Sequence, residues 1–193
     1  RDSQRLDLRS GYQSVADYLI NGRVVAWNKL YRRDWLLQTK VEFPKGKLYE
    51  DQNFFFKIIL FLDNINEIAL DQTAEVHYRQ RSGSISYNQA SKITDIFWIY
   101  QDLIDYYQLH QGDRYYAEIQ YRFCRNLLGN VLLRKIRPLK NRQQKQTLTT
   151  QIWQKIDAWF PDWKENPYLK RPGKVNSYLR LVKPFWTKLL VTI

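Results

Sequence analysis

Apolar residues recur at helical spacing through the second half of the chain, and this pattern constrains the fold more than any other feature of the sequence. Three stretches share it: Ile96, Tyr100, Leu103, Ile104 and Tyr107; Ile119, Phe123, Leu127, Val131 and Leu132; and Leu148, Ile152, Ile156 and Trp159. Side chains three and four residues apart lie on one face of a helix. We therefore predict a helical region over residues 91–193, punctuated by Pro138 and Pro161.

The first 90 residues carry a different pattern, in which short apolar runs alternate with turns. Helices are predicted for residues 12–20, 34–37 and 53–62. Three runs with β-type patterning predict short strands, namely residues 24–27, 65–70 and 74–79. The sequence thus predicts an α+β fold that is mainly helical, with one domain over residues 1–90 and a C-terminal helical region over 91–193.

The positive charge is concentrated in the last third of the chain. Residues 1–133 carry 17 Lys and Arg against 16 Asp and Glu, whereas residues 134–193 carry 14 against 3. Two interpretations of this basic segment stay open. Its aromatic rings can sit at an anionic membrane surface with the basic groups on lipid headgroups, or they can form the core of a helical bundle whose lysines face water. The rings are those of Trp153, Trp159, Phe160, Trp163, Phe185 and Trp186.

The cysteine content and the length of the apolar stretches bear on where in the cell the chain is located. The single cysteine, Cys124, excludes an intrachain disulfide and favours a reducing cytoplasm. The longest apolar stretch, residues 54–62, is nine residues long, against the ~20 needed to cross a bilayer. With no charged leader before an apolar run, we expect a cytoplasmic protein that can associate peripherally with the inner face of the membrane. Because the chain lacks Met and opens with Arg1, it is expected to be a piece of a longer protein.

Glu50 and Asp51 stand directly before the apolar run of residues 53–62. A carboxylate at such a place can act as a general base that takes the proton of an attacking hydroxyl. The same residues can simply stabilise the start of a helix, where acidic side chains favour the positive end of the helix dipole. The residues alone favour the second role, and the two roles are compatible.

Two further clusters have a functional and a structural interpretation. Trp27, Asn28 and Lys29 can form a carbohydrate platform, with the ring stacking on a sugar and the polar groups binding hydroxyls, or Trp27 can belong to the core. Arg79 and Arg81, beside a Gly/Ser turn, can hold a diphosphate or can blunt an edge strand. No metal-ligand spacing, nucleophile elbow or phosphate-binding glycine loop is present.

The order and spacing of these segments resemble the C-terminal, acceptor-side half of bacterial family-2 (GT-A type) glycosyltransferases of the capsular and exopolysaccharide kind. Four ordered motifs carry the resemblance, which spans residues 22–87: residues 25–33, 43–46, 49–51 and 78–86. A fainter likeness to the tails of these enzymes lies at residues 160–169.

The resemblance implies an inverting transfer of a sugar from a nucleotide-diphospho-sugar to a hydroxyl of a cell-surface polysaccharide or lipid-linked acceptor. It implies that Asp51 is the general base, with Glu50 as its neighbour. It also places Trp27, Asn28 and Lys29 beside the acceptor cavity, and Arg79 and Arg81 near the donor phosphates.

One departure from the family pattern concerns the donor. These enzymes bind Mn²⁺ or Mg²⁺ and the donor diphosphate through an Asp-x-Asp motif in their N-terminal half, and this sequence has no such motif. We therefore expect no cofactor in this chain and no transfer by the chain alone. The alternatives are a non-enzymatic basic module for nucleic acid or an anionic membrane, and a scaffold partner of a separate donor-binding chain. We do not expect nucleic acid as a partner, because no zinc spacing or recognition helix accompanies the charge.

Overall fold

A computed structural model describes residues 11–71, 73, 92–111 and 113–192. These residues form eight α-helices, α1 (Val15–Asn21), α2 (Arg33–Thr39), α3 (Glu50–Ile59), α4 (Asp95–Gln111), α5 (Tyr116–Arg125), α6 (Arg142–Trp159), α7 (Lys174–Leu181) and α8 (Pro184–Thr192). A π-helix continues α5 over Asn126–Ile136, and short 3-10 turns lie at Ala26–Asn28, Ile65–Glu67, Trp163–Glu165 and Pro167–Lys170.

The predicted α+β fold is wrong, because none of the described residues lies in a β-strand. Residues 24–27, predicted as a strand, are extended only as far as Val25 and then turn into the 3-10 turn Ala26–Asn28. The ammonium of Lys29 donates hydrogen bonds to the carbonyl oxygens of Arg23 and Val25. Those carbonyls are therefore bonded within their own segment, and a neighbouring strand is not needed to satisfy them.

A second predicted strand, residues 65–70, is replaced by a local helical turn. The Asn64 side chain accepts the N–H of Asn66 at 2.9 Å, and the Glu67 carboxylate accepts the N–H groups of Asp63 and Asn64, both at 2.9 Å. This reciprocal cap favours a turn over an extended backbone. The third predicted strand, residues 74–79, lies outside the described residues.

The chain divides into two compact units, residues 1–88 with 98–114, and residues 89–97 with 115–193. Residues 98–114, predicted as part of the C-terminal helical region, thus belong to the first unit. Within the described part of that unit, the helices predicted at residues 12–20, 34–37 and 53–62 are confirmed as α1, α2 and α3. Its buried apolar residues include Leu19, Ile20, Phe55, Phe56, Ile59, Ile99 and Leu103.

The second unit is a helical assembly built on α5, the π-helix and α6. The predicted helical faces are confirmed, since Phe123, Leu127, Val131, Ile152 and Ile156 are all less than 2% exposed. Buried hydrogen bonds connect its helices and turns. The Trp153 indole N–H donates to Thr187 Oγ1 on α8 at 2.8 Å, and the Tyr121 hydroxyl donates to Asn176 Oδ1 on α7 at 2.7 Å.

The aromatic rings of the basic segment differ in their burial. Trp153, Phe160 and Trp163 are at most 6% exposed and belong to the helical core. Phe185 and Trp186, on α8, are 72% and 58% exposed. Among the described residues, no helix has both the length and the apolar character that crossing a bilayer requires.

The environment of Cys124 leads to a prediction about its chemistry. The thiol is buried on α5, and that burial raises its pKa. Because the thiolate is the reactive form, we expect the folded chain to react with a disulfide reagent at pH 8 at least about a hundredfold more slowly than the urea-unfolded chain. Comparable rates in the folded and unfolded chains, followed by absorbance of the released thiolate, would contradict this packing.

Candidate functional site

Glu50 and Asp51 are the first two residues of α3. Glu50 is exposed, whereas Asp51 is half-buried and its Oδ1 accepts the N–H of Gln52 at 2.8 Å. Asp51 therefore lies at the positive end of the helix dipole, where an acidic side chain is favourable. A carboxylate at this place suits both a stabilising first-turn residue and a general base.

The backbone leading into α3 is strained. Tyr49 lies at φ 66° and ψ 25°, in the left-handed region, and provides no side-chain cap. A residue other than glycine in this region costs roughly 1–3 kcal/mol, and such residues cluster at functional sites. Its carbonyl accepts the N–H groups of Gln52 at 3.0 Å and Asn53 at 3.4 Å, which begins the helix directly beneath Asp51.

Two buried amide side chains anchor α3 to α4. The Tyr100 hydroxyl donates to Gln52 Oε1 at 2.9 Å, and Asn53 Nδ2 donates to Asp102 Oδ2 at 2.7 Å. Gln52 and Asn53 are 9% and 1% exposed. Since Asp51 directly precedes this pair, the anchor also fixes the position of the Asp51 backbone.

A charged and a neutral contact extend this anchor along α3. The Lys57 ammonium lies 2.6 Å from Asp102 Oδ2, and the Tyr107 hydroxyl donates to the carbonyl oxygen of Phe56 at 2.7 Å. The bond from Asn53 and the ammonium of Lys57 thus converge on one carboxylate oxygen of Asp102. Sequence reasoning missed these residues, although two consecutive amides within an apolar run were a signal for a buried polar contact.

Trp27, Asn28 and Lys29 lie at the 3-10 turn Ala26–Asn28 and have different environments. Trp27 is 45% exposed and Asn28 is also exposed, so both side chains can reach a ligand. The Lys29 ammonium donates to the carbonyl oxygens of Arg23 and Val25 and to Asn28 Oδ1. An ammonium has three N–H donors, so these contacts give Lys29 a role in shaping the turn. Its predicted place beside the acceptor cavity stays a prediction.

Two of the four sequence motifs meet on one ring of α3, the helix whose first residues belong to a third motif. Tyr31 packs edge-on against Phe54 with 5.8 Å between ring centroids, and Phe43 stacks on the same ring at 4.0 Å. Tyr31 comes from the Trp27 motif, Phe43 from the loop of residues 43–46, and Phe54 lies three residues after Asp51. Burial raises the pKa of Tyr31 to about 12. These contacts gather the segments around the first turns of α3.

A further exposed ring lies in the same unit. Trp98 is 44% exposed, and the Lys47 ammonium lies over its ring at 5.3 Å from the centroid. Lys47 belongs to the loop between Phe43 and Glu50, so this loop also contacts an exposed ring that the sequence did not predict as part of the site. Arg79 and Arg81 lie outside the described residues, and their predicted role at the donor phosphates stays a prediction. In the part of the chain that the structure describes, no group of three His, Cys, Asp or Glu side chains is placed to hold a metal ion.

The anchor between α3 and α4 leads to a prediction about stability. Tyr100→Phe removes the donor to Gln52 Oε1 in a buried site, which we expect to lower the free energy of unfolding by about 1–3 kcal/mol. The control is Tyr106→Phe on the same helix, because it keeps the ring that lies under the Lys57 ammonium. That control is expected to change stability by less than about 0.5 kcal/mol. Equal losses in urea unfolding of the two variants would show that the buried hydrogen bond contributes nothing.

Comparison of the chain with protein-family models, with curated protein sequences and with solved structures finds no match. Within the described residues, the contacts of Tyr31 and Phe43 with Phe54 bring two sequence motifs to the helix that begins at Glu50 and Asp51.

Proposed function

We propose that this chain supplies the acceptor side of an inverting glycosyl transfer. Asp51 takes the proton of the acceptor hydroxyl, and Trp27 and Asn28 bind the acceptor sugar. Lys29 holds the turn that presents those two side chains. The nucleotide-sugar donor and its divalent metal ion bind to an Asp-x-Asp half that this sequence does not contain, with Arg79 and Arg81 contributing near the donor phosphates.

The convergence of Tyr31 and Phe43 on Phe54 is the observation that supports the proposal most. Tyr31 lies 12 residues before Phe43, and Phe43 lies 11 residues before Phe54, so the contacts join three separate segments of the chain. A set of unrelated structural residues has no need to bring those motifs to one helix end. Here two of them pack on the helix that begins at Glu50 and Asp51, directly after a residue with a strained backbone.

The exposed aromatic surface suits a saccharide. The faces of sugar rings are apolar C–H surfaces that stack on tryptophan, whereas their hydroxyls require polar partners nearby. Trp27 and Asn28 are adjacent and both exposed, which provides one group of each kind. The Arg23 guanidinium lies 6.0 Å from the Trp27 ring centroid and restricts the ring on one side.

With Asp51 as the general base, the sugar is transferred in a single displacement at its anomeric carbon. The acceptor oxygen forms a bond to the anomeric carbon as its proton passes to the Asp51 carboxylate. The bond between that carbon and the donor diphosphate breaks, and the nucleoside diphosphate leaves with the electron pair. Since attack and departure occur on opposite faces, the anomeric configuration inverts. A base held in position contributes about 10²–10⁴-fold to such a step.

The rigid mounting of α3 supports this role for Asp51. A general base acts only within hydrogen-bond reach of the proton that it removes, and small displacements lower the rate strongly. Gln52 and Asn53, the next two residues, are bonded to Tyr100 and Asp102 on α4. The helix start is therefore held by buried hydrogen bonds as well as by apolar packing.

The matched test exchanges two aspartates at equivalent helix positions. Asp51 is the second residue of α3, and the exposed Asp34 is the second residue of α2. Assayed together with the donor-binding half, on one polypeptide or as a second chain, Asp51→Asn is expected to lower kcat for sugar transfer by about 10²–10⁴-fold. Asp34→Asn makes the same chemical change at a first helical turn and is expected to leave kcat within about twofold.

Two outcomes would overturn the proposal. If both variants lose a few tenths of a kcal/mol of stability and neither changes transfer, Asp51 only stabilises its helix. If Asp51→Asn keeps full activity while removal of the chain abolishes it, the chain is a scaffold partner of the donor-binding half.

A further inference from the structure

Four large apolar side chains within a short stretch of sequence, where α7 ends and α8 begins, are exposed to solvent. We call them the corner patch; they are Leu181, Phe185, Trp186 and Leu189, which are 75%, 72%, 58% and 45% exposed. The rings of Phe185 and Trp186 meet edge to face with 5.6 Å between centroids. On α8, Phe185 and Leu189 are four residues apart and so share one face of the helix.

The opposite face of α8 is committed to the core of the second unit. Thr187 and Val191 are at most 1% exposed, and the Trp153 indole N–H donates to Thr187 Oγ1 at 2.8 Å. The helix is thus attached through one face, and the corner patch lies on residues that this attachment leaves exposed. A large exposed apolar surface on a folded helix is typical of a site that binds a partner.

The corner itself is firmly built. The Lys164 ammonium donates to the carbonyl oxygens of Leu179, Arg180 and Val182 at 2.7, 3.1 and 2.9 Å. These carbonyls end α7, where a cation is favourable. Pro184 then starts α8, a position for which its fixed φ is suited. Leu181 and Phe185 are therefore exposed on a turn whose backbone is fixed by hydrogen bonds.

The chain segment that carries the corner patch has charge of one sign. Residues 166–193 carry six Lys and Arg and no Asp or Glu. The six are Lys170, Arg171, Lys174, Arg180, Lys183 and Lys188. Lys183 and Lys188, which are both exposed, stand beside the apolar members of the patch in the sequence. A partner that covers these residues must offer negative charge and a place for apolar side chains.

We propose that the corner patch docks the chain on an anionic lipid surface. Phe185, Trp186, Leu181 and Leu189 enter the boundary between headgroups and acyl chains, and Lys183 and Lys188 bind the headgroup phosphates. Tryptophan and phenylalanine suit this boundary, and each basic residue near it adds electrostatic attraction. With nine residues, α8 lies along the surface and does not cross it. Docking does not depend on Asp51 or on the proposed sugar transfer.

The experiment measures sedimentation of the chain with large vesicles of pure phosphatidylcholine or of phosphatidylcholine containing phosphatidylglycerol. Binding is expected only to the anionic vesicles and to fall as salt is raised, because salt screens the charges. Phe185→Ser with Trp186→Ser is expected to lower the partition coefficient at least about tenfold. The control, Leu37→Ser with Leu109→Ser, removes two exposed apolar side chains outside the corner patch, 60% and 80% exposed, and is expected to leave binding within about twofold.

A charge exchange separates the patch from general basicity. Lys183→Glu is expected to weaken binding about fivefold or more, since it removes one basic group and adds an acid. An acid at this position is compatible with folding because it precedes the first turn of α8. The control Lys140→Glu makes the same change at another exposed lysine of the second unit.

Insertion of Trp186 into the lipid is measured separately, by quenching of its fluorescence. Lipids brominated on their acyl chains quench indole emission by contact, so bound chain should be quenched. Trp186→Phe is expected to keep sedimentation and lose most of that quenching.

Three results would overturn the proposal: no binding to anionic vesicles, equal losses for Lys183→Glu and Lys140→Glu, or equal losses for the two serine pairs. Retention on a single-stranded RNA oligonucleotide that depends on Phe185 and Trp186, without vesicle binding, would assign the patch to nucleic acid. Asp51→Asn is expected to sediment as the unaltered chain does, so failure of the sugar-transfer proposal would leave this result in place.

Discussion

Two neighbouring amides buried at the start of α3 determine how the candidate site is held. Gln52 accepts from Tyr100 and Asn53 donates to Asp102, so α3 has one favourable register against α4. A shift of one residue along the helix would bury these amides without partners, which costs more than the hydrogen bonds themselves contribute. The register of Asp51 follows directly from that constraint, because it precedes Gln52 in the chain.

Near α3, ring packing and hydrogen bonding act on different segments of the chain. Tyr31 and Phe43 pack on Phe54, and these ring contacts bring two segments of the chain to α3. The turn at Trp27 is instead fixed by Lys29, whose ammonium binds carbonyls on either side of Val24. The outcome is a surface on which Trp27 and Asn28 remain exposed although the residues beside them are held.

The sequence predicted the helices well, because apolar spacing is a local property that survives in the fold. It failed for residues 24–27 and 65–70, since a strand depends on a distant partner, whereas Lys29 and Glu67 satisfy the backbone locally. The helix start at Glu50 and Asp51 was predictable for the same local reason. The meeting of Tyr31, Phe43 and Phe54 was not, because it joins segments through tertiary contacts. Spacing also could not decide which rings of the basic segment are exposed: Trp153 and Trp163 face the core, and Trp186 does not.

We propose that the exposed turn at Trp27 binds an acceptor saccharide, and a printed oligosaccharide array measures such binding by this chain without any donor. We expect retention on a defined group of glycans, reduced about tenfold or more by Trp27→Ala. Trp186→Ala, which removes an indole of similar exposure from the second unit, is the matched control and should retain the same glycans at the same level. Absence of binding to any glycan, or an equal loss in the two variants, would contradict the claim.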